Sequence, residues 1–141
     1  MEAKLILYPV LAMVALTFVV AGTTLRRRIG TMKAERIHPQ KVATSAQMAA
    51  LIGDSRASDN LRNLFETPVL FYVAMIIVYA GGLICLPHLL LAWAYVAARY
   101  AHSYIHCTTN VVMRRFYAFL TSVVLLLCTW LMLAYQLIFA V

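Results

Sequence analysis

Long stretches without a charged side chain decide what this sequence can become. Leu5 to Leu25 is 21 such residues, 32 more lie between Glu66 and Arg99, and Phe116 to Val141 forms a third run. Stretches above roughly 18 apolar residues read as membrane-crossing helices, because a helix rising about 1.5 Å per residue crosses a hydrocarbon core of about 30 Å in about 20 residues. The composition agrees: 64% of residues are hydrophobic and 12% charged, with mean hydropathy +0.83. A soluble domain has about 45–50% apolar and about 25% charged residues. A water-soluble enzyme is excluded, and the expectation is one all-α membrane domain over residues 1–141.

The first run is too long for a signal peptide, and Arg26-Arg27-Arg28 follows it instead of preceding it. It is read as the first span. The run after Glu66 is too long for one ordinary span and too short for two. Pro68 fits a first helical turn, while Gly81, Gly82 and Pro87 mark where the chain can reverse. A break at Pro87 gives four spans, at about 5–25, 60–86, 88–109 and 115–140. The third must then carry Arg99, His102 and His106 through the membrane. Residues 37–51 are compatible with either a loop or an interfacial helix.

Charge sets the topology. Twelve Lys and Arg against five Asp and Glu give +7, and these cations cluster between the apolar runs, which points to positive-inside loops and not to nucleic acid. The connection 26–62 carries eight of them and is assigned to the cytoplasm. Four spans place Arg114 and Arg115 on that same side, whereas three place them outside. Both termini are therefore expected outside, in a short chain that suits a bacterial inner membrane. Cys85, Cys107 and Cys128 have no CxxC spacing and read as packing residues.

The third span is costly in lipid, since an Arg at a helix centre costs about 2.5–3.5 kcal/mol on insertion scales. At 100° per residue, Tyr95, Arg99, His102, His106 and Asn110 fall within roughly an 80° stripe. At the cytoplasmic end of the second helix, Arg56, Asn60, Asn63 and Glu66 recur at three- and four-residue spacing and share one face. Measured from the expected turn, Glu66 lies about 31 Å along one helix, and His102 and His106 about 22 and 28 Å along the next. The two polar faces should meet near the cytoplasmic surface beside Arg115. Several cations, one carboxylate and amide donors around one cavity suit a small polyanion that carries one ammonium group. The His102-x-x-x-His106 pair has metal-ligand spacing, but its neighbours are mainly cationic and no third ligand is evident, so no metal is expected.

Arg62-Asn63-Leu64-Phe65-Glu66-Thr67-Pro68 resembles the Arg-Asn-x-x-Glu segment that opens the second helix in the MAPEG superfamily, the membrane-associated proteins of eicosanoid and glutathione metabolism. Arg99-Tyr100-Ala101-His102, with Arg115 thirteen residues after that histidine, is similar to the superfamily's third- and fourth-helix motifs. Arg56, ten residues before Glu66, also falls where a family arginine lies.

This resemblance covers essentially the whole chain. It implies a homotrimer of four-helix subunits that binds glutathione between neighbours on the cytoplasmic side. By position, Arg62, Asn63, Glu66, His102 and Arg115 would contact glutathione, with Arg115 beside its sulfur and Arg26 as a further basic contact; Arg56, Arg99 and His106 complete the expected binding set. The implied activity is that of a glutathione-dependent transferase or peroxidase, taking a lipophilic electrophile or hydroperoxide from the bilayer. The alternative is a non-catalytic scaffold that presents a lipid or partner protein. His106 stands where some family enzymes have tyrosine, Phe116 where prostaglandin-E synthase has serine, and Asp59 where a further arginine is usual. These departures tell against prostaglandin synthesis.

Overall fold

The computed structural model describes residues 2–139. Its main helices are α1 (Leu7–Ala34), α2 (Ser45–Leu51), α3 (Arg56–Leu64), α4 (Thr67–Ala80), α5 (Leu86–Cys107) and α6 (Val112–Phe139), with short 3-10 turns at Ala3–Ile6 and Pro39–Val42. Residue 140, where the fourth expected span ends, lies outside the described residues. There is no strand among those described.

α1 continues past the apolar run, so the arginine cluster rides on helix. Its buried positions, Met13, Leu16, Val20 and Thr24, recur every three or four residues and face the core. Leu11, Phe18 and Val19 point outwards, as a lipid-facing stripe would. Residues 37–51 fold into the 3-10 turn and α2. α2 is started by a reciprocal cap: the Gln47 amide N–H donates to Thr44 Oγ1 at 3.2 Å, and the Thr44 N–H donates to Gln47 Oε1 at 3.1 Å.

The second polar–apolar segment is not one continuous helix. Pro68 has no N–H for the Leu64 carbonyl and is tolerated only in a first turn, so α3 stops at Leu64 and α4 starts afresh after Glu66. The reversal also falls earlier than the expected break at Pro87. α4 ends at Ala80, and Gly82 adopts φ +65°, a left-handed conformation that glycine takes without steric cost. A Cβ at Gly81 would sit 3.0 Å from the Ile77 carbonyl. Pro87 instead lies in the first turn of α5, where its missing N–H is no loss.

α5 lies centrally, packed along α6 and against α1 and α3, while α4 closes against α1 and α6. Ile6, Met13, Phe71, Met75, Val78, Tyr95 and Leu133 are almost wholly buried between them. The Phe71 and Tyr95 rings stack with centroids 4.5 Å apart. Three helical stretches, Ala3–Ala34, Arg56–Ala80 and Val112–Phe139, are long and apolar enough to cross a membrane. α5 is also long, 22 residues, but its buried face is polar: Arg99, His102, Ser103 and His106 all point inwards.

Candidate functional site

Burying a guanidinium without a counter-ion is expensive, which makes Arg99 the natural starting point. Its side chain is 0% exposed. No carboxylate lies within ion-pair distance of it; the ion pairs among the described residues are Lys4–Glu2, Arg27–Asp54 and Arg56–Asp54. Arg99 instead donates to neutral acceptors. Nη2 reaches Asn63 Oδ1 at 2.6 Å and the Asn63 carbonyl at 3.2 Å, and Nη1 reaches Thr67 Oγ1 at 3.4 Å. The α3–α4 break opens this carbonyl to Arg99: Asn63 O loses the i+4 N–H of a continuous helix and keeps only a long contact from the Glu66 N–H at 3.4 Å. Asn63 then turns its Nδ2 to Glu66 Oε2 at 3.2 Å, so the amide links the buried cation to an exposed carboxylate.

His102, 4% exposed, contacts the main-chain carbonyl of Arg115 through Nδ1 at 3.1 Å. A carbonyl only accepts, so Nδ1 carries a proton and donates. The Arg115 side chain is held from the turn between α5 and α6. Asn110 adopts φ +50°, which asparagine tolerates better than most residues, and its Oδ1 accepts from Arg115 Nη1 at 2.6 Å. The sequence stripe placed Asn110 on the third helix. α5 ends at Cys107, and Asn110 works from the turn instead.

These groups surround a cavity of about 260 Å³. Its polar wall is Asn63, His102, His106 and Arg115, and its apolar wall is Val112, Phe116 and Phe119. The His102 and His106 rings meet edge to face, with centroids 5.4 Å apart. Two wall residues have a buried polar atom with no partner among the described residues, His102 Nε2 and His106 Nδ1; Arg99, expected in the binding set, does not line the cavity but stands behind its Asn63 and Phe119, with Nε likewise unpartnered. Buried polar atoms are nearly always paired, so these call for a polar partner, water or ligand, and the cavity gives it room.

The other expected binding residues divide. Glu66 is tied to the cavity through Asn63. Arg62 faces a larger cavity of about 450 Å³ between α1, α2 and α3, which also holds Arg27 and Arg28. That space gathers no unpartnered buried atom, so the smaller cavity is the better candidate site. Arg56 is brought to neither cavity: Nε and Nη2 grip Asp54 at 2.8 and 3.0 Å, and Nη1 donates to the Thr108 carbonyl at 2.7 Å. The Arg56 hydrogen bond is the main reason the Asp54 carboxyl is held below the usual carboxylate range. Arg26 is exposed and also lines neither. Its neighbour Arg27 turns inwards, donating to Asp54 at 3.3 Å and to the Cys107 carbonyl at 2.7 Å. Position 27 continues the buried spacing Met13–Leu16–Val20–Thr24, a phase that the uniformly apolar run does not reveal in sequence. Asn60, on the polar face expected to meet the third helix, finds as its partner Ser103, which no sequence pattern singles out. They bond each other at 3.2 Å and fasten α3 to α5 beneath the site.

The MAPEG family profile matches residues 6–135, a stretch that includes every residue around the cavity. The chain belongs to the MAPEG family. No curated protein and no solved structure matches it. MAPEG proteins are integral to membranes, in keeping with the three apolar helical stretches, and the family includes glutathione-dependent transferases and peroxidases.

Proposed function

We propose that this MAPEG protein is a glutathione-dependent transferase or peroxidase acting on lipophilic electrophiles or hydroperoxides. One observation carries the reading: Arg115, His102 and His106 line one cavity with unpartnered buried ring nitrogens, and a wholly buried Arg99 without a carboxylate partner stands behind its Asn63 wall. Glutathione supplies what that wall lacks. Its two carboxylates answer the cations by charge-assisted hydrogen bonds, and Glu66 takes the ammonium group. Arg115 then lies beside the thiol. A free thiol has a pKa near 8.5, and a neighbouring guanidinium favours the thiolate, the attacking form.

In this reading α5 is a fourth membrane crossing, since 22 residues extend about 33 Å and its polar side faces protein. Both termini then lie outside and the site faces the cytoplasm, in a bacterial inner membrane. Three subunits associate, and a neighbour covers the open side of the cavity. The lipophilic partner enters from the bilayer along Val112, Phe116 and Phe119. Holding a water-borne nucleophile next to a membrane-dissolved acceptor supplies proximity, itself a large part of such catalysis.

Titration of the detergent-solubilised protein with glutathione tests this through thermal unfolding and the thiolate absorption band. The proposal expects a rise in unfolding temperature together with the thiolate band. Stabilisation without thiolate would assign the protein to the non-catalytic scaffolds, and no stabilisation would remove glutathione from the account.

A further inference from the structure

We propose that Cys85, His88 and Gln136, together with the Leu83 main-chain carbonyl, form a binding site for zinc at the opposite end of α5 from the cavity. Three segments supply the donors: the α4–α5 turn, the first turn of α5 and the last turns of α6. The site lies outside the glutathione reading and does not depend on it.

The turn brings the donors together. Gly82 reverses the chain in its left-handed conformation, and Cys85 then enters α5 with extended backbone. His88, three residues on and 0% exposed, folds back over the turn, so that its Nδ1 lies 3.2 Å from the Leu83 carbonyl oxygen and 3.3 Å from Cys85 Sγ. From α6, the side-chain amide of Gln136 reaches to 3.7 Å from the same sulfur. One imidazole proton thus faces two acceptors, and lone pairs of sulfur, oxygen and nitrogen converge on the place it occupies. A cation can replace it there, since metal ligands must give up their protons to bind.

Spacing and donor type select the ion. Zinc holds sulfur at about 2.3 Å, nitrogen at about 2.0–2.1 Å and oxygen at about 2.0–2.2 Å in a tetrahedron, which sets neighbouring donors about 3.4–3.6 Å apart. The separations here, 3.2, 3.3 and 3.7 Å, bracket that range. Calcium and magnesium select oxygen alone, whereas a thiolate beside an imidazole suits zinc. Turned end for end, the Gln136 amide presents Oε1 as the fourth donor. That oxygen and His88 Nε2 are both buried without a partner among the described residues, so the cluster is not closed by its own hydrogen bonds. On binding, the thiol proton leaves to solvent and the imidazole proton moves from Nδ1 to Nε2. The ion then ties the α4–α5 turn to the end of α6.

The full chain in detergent, stripped of metal and kept free of glutathione, is titrated with zinc chloride while alkylation of each cysteine by N-ethylmaleimide is followed by peptide mass spectrometry. Zinc should slow labelling of Cys85 by about 10-fold or more, because the thiolate is both the nucleophile and the metal ligand, and should leave the exposed Cys128 unchanged. No slowing at Cys85, or equal slowing of all three cysteines, overturns the site. Cobalt, a coloured substitute for zinc, gives an independent reading. A thiolate-to-cobalt band present in the wild type and in Cys107→Ser but lost in Cys85→Ser supports the assignment, and a band that survives Cys85→Ser refutes it. Serine keeps a polar side chain at the start of α5, and thermal unfolding confirms that this variant folds. Gln136→Glu should tighten zinc binding several-fold, because a carboxylate is a better zinc ligand than an amide. Unchanged or weaker binding overturns the four-donor site. Glutathione binding is measured on separate samples, so either proposal can fail without the other.

Discussion

Replacing Arg99 by Met separates a residue kept for ligand binding from one kept for the fold. The substitution removes the charge but retains a long apolar stem. In the free protein, Arg99 makes one short hydrogen bond, to Asn63 Oδ1 at 2.6 Å, and two longer ones at 3.2 and 3.4 Å. Hydrogen bonds from a charged group contribute about 1.5–3 kcal/mol each at good geometry, and only the first qualifies fully. The guanidinium carbon is 5.9 Å from the Phe119 ring centre, near the limit for a cation–π contact, which adds about 0.5 kcal/mol. Against these stands the desolvation of a buried cation, several kcal/mol by order of magnitude. The terms nearly cancel, so the unliganded variant should unfold within about 2 kcal/mol of the wild type, in either direction. Ligand binding should suffer far more. Truncating one partner of a buried charge pair costs about 2–4 kcal/mol, or about 30- to 1,000-fold in Kd. Calorimetric titration with glutathione and thermal unfolding without it measure the two quantities on one sample. A variant that binds glutathione normally but unfolds far more readily would show that Arg99 is a structural strut and refute the argument.

Three further outcomes follow from the contacts described. Arg115→Ala keeps the main-chain carbonyl that His102 uses, so it should fold and bind glutathione while the thiolate band at neutral pH largely disappears. Phe71→Ala removes a fully buried ring stacked on Tyr95 and should cost about 3–5 kcal/mol in denaturant unfolding, with no selective effect on glutathione affinity. Asp54 governs the segment between α1 and α3: because pairing depresses its carboxyl, the clasp on Arg27 and Arg56 is complete above the ordinary carboxylate range and is lost as pH falls through the depressed value. Protection from hydrogen exchange in residues 36–55, taken against the pH-dependent intrinsic rate, should therefore fall on acidification, and Asp54→Asn should show the lowered protection already at neutral pH.

Much of this architecture is visible in the residues because lipid imposes simple demands. Uncharged runs mark α1, α4 and α6, and the spacing of Arg and His on α5 marks the face that is buried against protein. Helix ends are less legible. Pro87 signals a break equally well as a terminator or as a first-turn residue, and only the left-handed Gly82 shows which use applies. The arginine triplet posed a similar difficulty, since three adjacent cations are equivalent until the helix phase through Met13, Leu16, Val20 and Thr24 continues beyond Leu25 and selects Arg27. Arg56 was misleading for another reason. Its spacing from Glu66 suggests a binding role, yet the folded loop places Asp54 against it and commits it to the Thr108 carbonyl. Pairings of that kind depend on tertiary approach between distant segments, which periodicity within one helix does not encode.

Asn110 ties the handedness of one backbone residue to the aim of a guanidinium. Glycine there would adopt the same φ with less strain but would release the Arg115 fork to swing, whereas a bulkier residue would disturb the corner itself. A neutral drift at this corner is therefore hard to achieve: conformational relief and chemical precision pull toward different amino acids, and asparagine is among the few that serve both.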